Sequence, residues 1–171
     1  LAPFVDIFLQ CRPIPVHLLL ALAMLLEDKA TRKPLVQMVN IPYVVLELLG
    51  DPQYEHACLV FFTTLSSLKP KYGGFLRTTA FVQAIVSLFK QKCAQIEAAA
   101  TPPSLHDFFL LFGNMTFLKG NVLVDFVKTG VFSLTYLHAP DLVKDITDIA
   151  YFLVYAILNG DDEIRYYLCT Q

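Results

Sequence analysis

The chain has 171 residues and a formal net charge of −2; 56% of its residues are hydrophobic and only 16% are charged. This composition is more apolar than that of an ordinary soluble domain, yet its longest apolar runs, near Val16–Leu26 and Ile149–Leu158, are far shorter than the ~20 residues of a transmembrane helix. Its 13 basic residues are scattered, whereas a nucleic-acid partner needs a basic stripe. We therefore expect neither a membrane span nor a nucleic-acid partner.

Apolar residues recur at steps of three and four along the chain, which predicts helices throughout. Helix-start chemistry supports this at Asp51-Pro52, at the capping-box pattern Ser104–Asp107 and at Pro140-Asp141. The alanines and prolines near residues 92–104 predict a loop. The expected helices cover residues 1–10, 15–27, 31–39, 41–49, 53–68, 81–91, 105–118, 122–128 and 142–158.

The sequence matches itself after a shift of 40 residues. LAPFVDIFLQ (1–10) aligns with IPYVVLELLG (41–50) and FVQAIVSLFK (81–90), so that Val5, Val45 and Ile85 coincide. Repeats of this length bury their apolar faces by stacking on one another. We predict one all-α, right-handed solenoid over residues 1–171, with a partial repeat at 1–28, repeats at 29–68, 69–118 (with the inserted loop near 92–104) and 119–160, and a partial repeat at 161–171.

Three segments resemble a known family. LLLALAMLLEDKATRKPLVQMVNIPYVVLELLGD (18–51) resembles the armadillo repeat, a unit of three helices. FGNMTFLKGNVLVDFVKTGVFSL (112–134) and AYFLVYAILNGDDEIRYYL (150–168) most resemble the version found in importin alpha, the carrier that binds nuclear localisation signals. The resemblance implies that the third helix of each repeat lines a concave, ligand-binding face.

In importin alpha this third helix carries a tryptophan and, four residues later, an asparagine. The tryptophans form slots for lysine side chains, and the asparagines hold the peptide backbone. Here the corresponding pairs are Leu20 and Met24, Val60 and Thr64, Leu110 and Asn114, and Phe152 and Ala156. The chain has no tryptophan, and Asn114 alone keeps the asparagine, so we do not expect peptide binding in that manner.

The same helical spacing adds residues one turn before and one turn after these pairs. Two interpretations of His56 and His106 are open: they accept a carboxylate or bond a peptide carbonyl, or they are ordinary surface or capping residues, which we favour. Aromatic stripes such as Tyr151-Phe152 are expected mostly in the core. The candidate partner-binding residues are His56, Val60, Thr64, Ser67, His106, Leu110, Asn114, Phe117, Asp148, Phe152 and Asn159.

No catalytic pattern stands out. Asp161-Asp162-Glu163 fits a helix start, where acidic groups offset the helix dipole, and Ser66-Ser67 and Gly73-Gly74 lack the context of a nucleophile or phosphate loop. The four cysteines are far apart and are expected to be small buried residues, which favours a reducing compartment. We expect no enzyme, no cofactor and no metal site.

The function that these patterns favour is a non-enzymatic, cytoplasmic scaffold or adaptor, which binds a segment of a partner protein along the concave face. The alternative is a divergent nuclear transport adaptor like importin alpha, with a degenerate signal-binding groove, which shuttles to the nucleus. The end repeats are apolar at Leu1–Leu9 and Tyr166–Leu168. We expect further repeats, another subunit or self-association to cover them, because large apolar patches are uncommon on monomers.

Overall fold

The computed structural model describes residues 1–38, 40–68, 72–96, 103–118 and 120–170. These residues form eleven α-helices and two short 3-10 helices, Phe75–Arg77 and Val143–Asp145, and none of them lies in a strand. The predicted all-α class is therefore confirmed. The chain divides into two compact units, Leu1–Phe75 and Leu76–Gln171. The solenoid of 40-residue repeats stays a prediction.

The first unit is built around α2 and α5, which make its most extensive helix–helix contact. Leu19 and Leu22 of α2 and Phe62 of α5 are fully buried, and burial of such side chains is the main force that holds helices together. Its helices are α1 (Ala2–Gln10), α2 (Val16–Glu27), α3 (Lys29–Gln37), α4 (Asn40–Leu48) and α5 (Glu55–Ser67).

Polar groups fix the corner between α2 and α3. The Asp28 carboxylate accepts from the Thr31 backbone N–H at 3.0 Å, which caps α3 as expected of an aspartate at this position. Arg32 donates to the carbonyls of Leu26 at 2.7 Å and Glu27 at 2.6 Å. These bonds satisfy carbonyls that the end of α2 leaves without helical partners.

The second unit surrounds a cluster of phenylalanine rings. Phe112 lies 4.9 Å from Phe126, and Phe132 stacks on Phe152 at 5.1 Å between ring centroids. All four are fully buried, so the prediction that the aromatic stripes lie mostly in the core is confirmed for these phenylalanines, whereas Tyr151 is half-buried. The helices are α6 (Thr79–Ile96), α7 (His106–Met115), α8 (Val122–Thr129), α9 (Val131–His138), α10 (Ile146–Asn159) and α11 (Asp162–Cys169).

The helix bounds agree with the sequence prediction to within two residues in the first unit and at α8. Val39, the predicted end of the third helix, lies outside the described residues. Four predictions in the second unit are wrong. The predicted 105–118 helix ends at Met115, because a turn follows it. The predicted 81–91 helix extends to Ile96, so residues 92–96 of the predicted loop are helical, and residues 97–102 lie outside the described part. The sequence pattern does not predict α9, which covers Val131–His138. The last long helix begins at Ile146, because a turn and a 3-10 helix follow Pro140.

None of the described helices is long and apolar enough to cross a membrane, as the short apolar runs predict. All four cysteines are free. Cys58 and Cys93 are buried as expected, whereas Cys11 is half-buried and Cys169 is exposed, so the prediction of burial is wrong for Cys169.

Candidate functional site

The α7–α10 face is the row of side chains along the contact between these two helices, the most extensive helix–helix contact of the second unit. Gly113 permits the close approach, because a Cβ added there would lie 2.3 Å and 2.4 Å from two ring carbons of Tyr151. The face consists of His106, Asn114, Thr116, Phe117, Asp148, Tyr151, Tyr155 and Asn159.

Two side-chain hydrogen bonds cross the middle and the far end of this face. The Tyr151 hydroxyl donates to Asn114 Oδ1 at 2.7 Å. Asn159 Nδ2 donates to Thr116 Oγ1 at 3.0 Å, while that hydroxyl donates to the Gly113 carbonyl at 2.7 Å. These bonds fix the orientation of the side chains that surround the rings of Phe117 and Tyr155.

An aromatic ledge, formed by Phe117, Tyr151 and Tyr155, lies between the polar pairs. The rings of Tyr151 and Tyr155 are 4.7 Å apart, and so are those of Phe117 and Tyr155. Phe117 remains 45% exposed. Burial raises the pKa of Tyr151 above its ordinary value, with a smaller contribution from Tyr155. The Tyr151 hydroxyl therefore stays protonated near neutral pH and can serve as the donor to Asn114.

A histidine–aspartate pair closes the near end of the face. His106 Nδ1 lies 2.7 Å from Asp148 Oδ2, and the two side chains are 51% and 18% exposed. The hydrogen bond to Asp148 raises the pKa of His106; burial opposes this, and the charges of Asp148, Asp107 and Asp145 add to the rise. The charged imidazolium is favoured because carboxylates surround it.

Asp145 anchors the residues just before α7. Its buried carboxylate, 3% exposed, accepts from the Leu105 backbone N–H at 2.6 Å and from the Ser104 hydroxyl at 2.8 Å. The predicted capping box is wrong, because Leu105 occupies the N-cap position and Ser104 Oγ accepts from the His106 N–H at 3.3 Å. A small cleft beside this anchor is lined by Pro103, Ser104 and residues 141–145.

Most predicted site residues of the second unit lie on this face: His106, Asn114, Phe117, Asp148 and Asn159. Leu110 is half-buried on α7.

The prediction that Phe152 binds a partner is wrong. Phe152 is fully buried among the phenylalanines of the core, so it cannot contact a partner. Tyr151 and Tyr155, which the sequence analysis missed, lie on the face instead. The spacing of Asp148, Tyr151, Tyr155 and Asn159 by three, four and four residues, typical of one helix face, was the signal that could have found them.

The remaining predicted residues belong to the first unit and share one side of α5, because their spacing of four, four and three is helical. His56 and Ser67 are exposed, and Val60 and Thr64 are half-buried. The Ser67 hydroxyl donates to the Thr64 carbonyl at 2.8 Å. This bond is local to the end of α5.

Within the described part of the chain, no group of three or more histidine, cysteine or acidic side chains is placed to hold a metal ion. No protein-family model, curated protein or solved structure matches the chain. The resemblance to armadillo repeats and importin alpha therefore rests on the sequence pattern.

Proposed function

We propose that the chain is a non-enzymatic protein-interaction scaffold that binds a segment of a partner protein along the α7–α10 face. The observation that carries this proposal is Phe117, which is 45% exposed while its ring packs against Tyr155 at 4.7 Å. Aromatic side chains that are held in place and still accessible supply much of the binding energy at protein interfaces. The ledge provides such an anchor.

The surrounding hydrogen bonds support binding because they limit the entropy that is lost on association. Asn114 is tied to Tyr151, and Thr116 is tied to Asn159. Side chains that are already ordered in the free protein lose less rotamer freedom when a partner arrives. The face is thus organised before it binds.

The chemistry of the face indicates the kind of segment that fits it. Two large exposed apolar residues of α10, Val154 and Leu158, immediately precede Tyr155 and Asn159 of the face in the sequence. His106 and Asn159 add polar groups at the two ends. A segment with apolar side chains for the ledge and backbone carbonyls for the polar ends matches this pattern. Exposed apolar groups within a polar rim are typical of interaction sites.

The test compares Phe117→Ser with the matched control Leu137→Ser, which also removes an exposed apolar side chain of the second unit. Partners are captured from a lysate with each variant, and the affinity of one purified partner is then measured by calorimetry. We expect Phe117→Ser to weaken binding by roughly tenfold or more, as for an interface hot spot, and Leu137→Ser to leave it unchanged. Equal affinities of the two variants would place binding elsewhere on the chain.

A lysine-rich signal peptide serves as a second probe in the same assay, because the alternative proposal is a nuclear transport adaptor with a degenerate groove. Peptide binding that is lost in Phe117→Ser would favour that alternative. The scaffold proposal places the chain in the cytoplasm, and the transport alternative adds shuttling to the nucleus. Imaging of the tagged chain would distinguish these locations.

A further inference from the structure

At the His106 end of the α7–α10 face, side-chain hydrogen bonds join the start of α7 to the start of α10. His106 is the first residue of α7, and Asp148 lies in the first turn of α10. Their side chains meet at 2.7 Å although 42 positions separate them in the chain. Asp145 adds two hydrogen bonds from the same end of α10 to Ser104 and Leu105.

We propose that His106 and Asp148 form a pH-sensitive clasp, which holds the first turn of α7 to the first turn of α10 and loosens as the pH rises. The bonds of Asp145 are the constant part of this junction, because its buried carboxylate accepts from a backbone N–H and a hydroxyl, neither of which titrates near neutral pH. The His106–Asp148 bond is the variable part. The clasp is independent of the identity of any partner.

The charged groups around the imidazole all favour its protonated form. Asp107 lies on α7 itself, Asp145 ends the 3-10 helix Val143–Asp145, and Asp148 lies on α10. A charged imidazole attracts the Asp148 carboxylate electrostatically in addition to the hydrogen bond, whereas a neutral imidazole keeps the hydrogen bond alone. Since the His106 side chain is half-exposed, protons reach it directly from solvent.

The direction of the pH effect follows from the raised pKa of His106 in the folded chain. The unfolded chain has the ordinary histidine pKa of ~6.5. A folded-state pKa above that value stabilises the clasp fully below about pH 6.5, and the stabilisation is lost as the pH rises through the folded-state pKa.

Amide hydrogen exchange in the first turn of α7 measures the local opening that the clasp opposes. The N–H groups of Phe108 and Phe109 bond to the Leu105 carbonyl in the first turn of α7. We expect their protection, corrected for the pH dependence of intrinsic exchange, to fall about two- to fivefold between roughly pH 6 and pH 8.5, the range for an exposed ion pair. In His106→Gln and in Asp148→Asn this fall should disappear.

His17→Gln is the matched control, because His17 is also an exposed histidine in the first turn of a helix. It should keep the wild-type response. A second readout is the midpoint of the His106 ring signals in an NMR titration, which should be lower in Asp148→Asn than in the wild type. Protection that does not change with pH in the wild type, a fall that persists in His106→Gln, or equal midpoints would overturn the clasp.

Discussion

Replacement of Gly113 by alanine tests the close packing of α7 against α10. The added Cβ would lie 2.3 Å from Tyr151 Cε1 and 2.4 Å from Cδ1, distances at which the ring must move. Its movement would break the hydrogen bond from the Tyr151 hydroxyl to Asn114 and disturb the contact with Tyr155 at 4.7 Å. The substitution therefore acts on the site and on stability together.

The magnitude follows from three contributions. Overpacking costs about 1 to 3 kcal/mol, and the lost hydrogen bond costs about 0.5 to 1.5 kcal/mol. Alanine is better than glycine inside a helix by about 1 kcal/mol, which offsets part of this. We expect Gly113→Ala to lower the free energy of unfolding by roughly 0.5 to 3.5 kcal/mol, the first two ranges less the third.

Urea unfolding followed by circular dichroism is the assay, with Gly50→Ala as the control. Among the described residues beyond its chain neighbours, none has an atom within 4 Å of a Cβ added at Gly50, so that variant should unfold like the wild type. In a Tyr151→Ala background the steric conflict is removed, and Gly113→Ala should then stabilise the chain by up to about 1 kcal/mol through helix propensity. A Gly113→Ala variant that is harmless in the wild type, or equally harmful in both backgrounds, would refute the close packing of Gly113 against Tyr151.

Two further predictions concern buried side chains. Leu49 is 3% exposed, and its replacement by alanine should lower the free energy of unfolding by about 2 to 5 kcal/mol. Leu48→Ala is the control and should cost less because Leu48 is half-buried; a loss below about 0.5 kcal/mol for Leu49→Ala would contradict its core position. Burial, with smaller contributions from nearby acidic charges, raises the pKa of Cys58 to about 12, so iodoacetamide at about pH 8 should leave the native Cys58 thiol unmodified. The exposed Cys169 should react. Early modification of Cys58, measured by mass spectrometry of the labelled chain, would contradict this prediction.

Local sequence determined the helical class and most helix positions. A helix repeats every 3.6 residues, so apolar residues that recur at steps of three and four specify it without knowledge of distant contacts. Capping is equally local when both partners lie within one turn. Asp161 shows this, because its carboxylate accepts from the Ile164 N–H at 2.9 Å, as the acidic run at 161–163 predicts. The carboxylate of Asp145, in contrast, accepts hydrogen bonds from Leu105 and Ser104, which lie 40 and 41 positions away in the sequence.

Part of the candidate site followed from helical spacing, and the rest depended on tertiary packing. Spacing placed His106, Asn114 and Asp148 on facing helices, but in the middle of α10 it chose Phe152 instead of Tyr151. Both residues are aromatic, and a helix turns only about 100° per residue, so periodicity could not separate them.

Only the packed structure decided which ring enters the core. The phenylalanines of α7, α8 and α9 surround Phe152, whereas Tyr151 finds Asn114 as an acceptor for its hydroxyl. A buried hydroxyl without a partner is costly, so tyrosine takes the position at the edge and phenylalanine the interior. That choice depends on groups far away in the sequence, which local patterns do not contain.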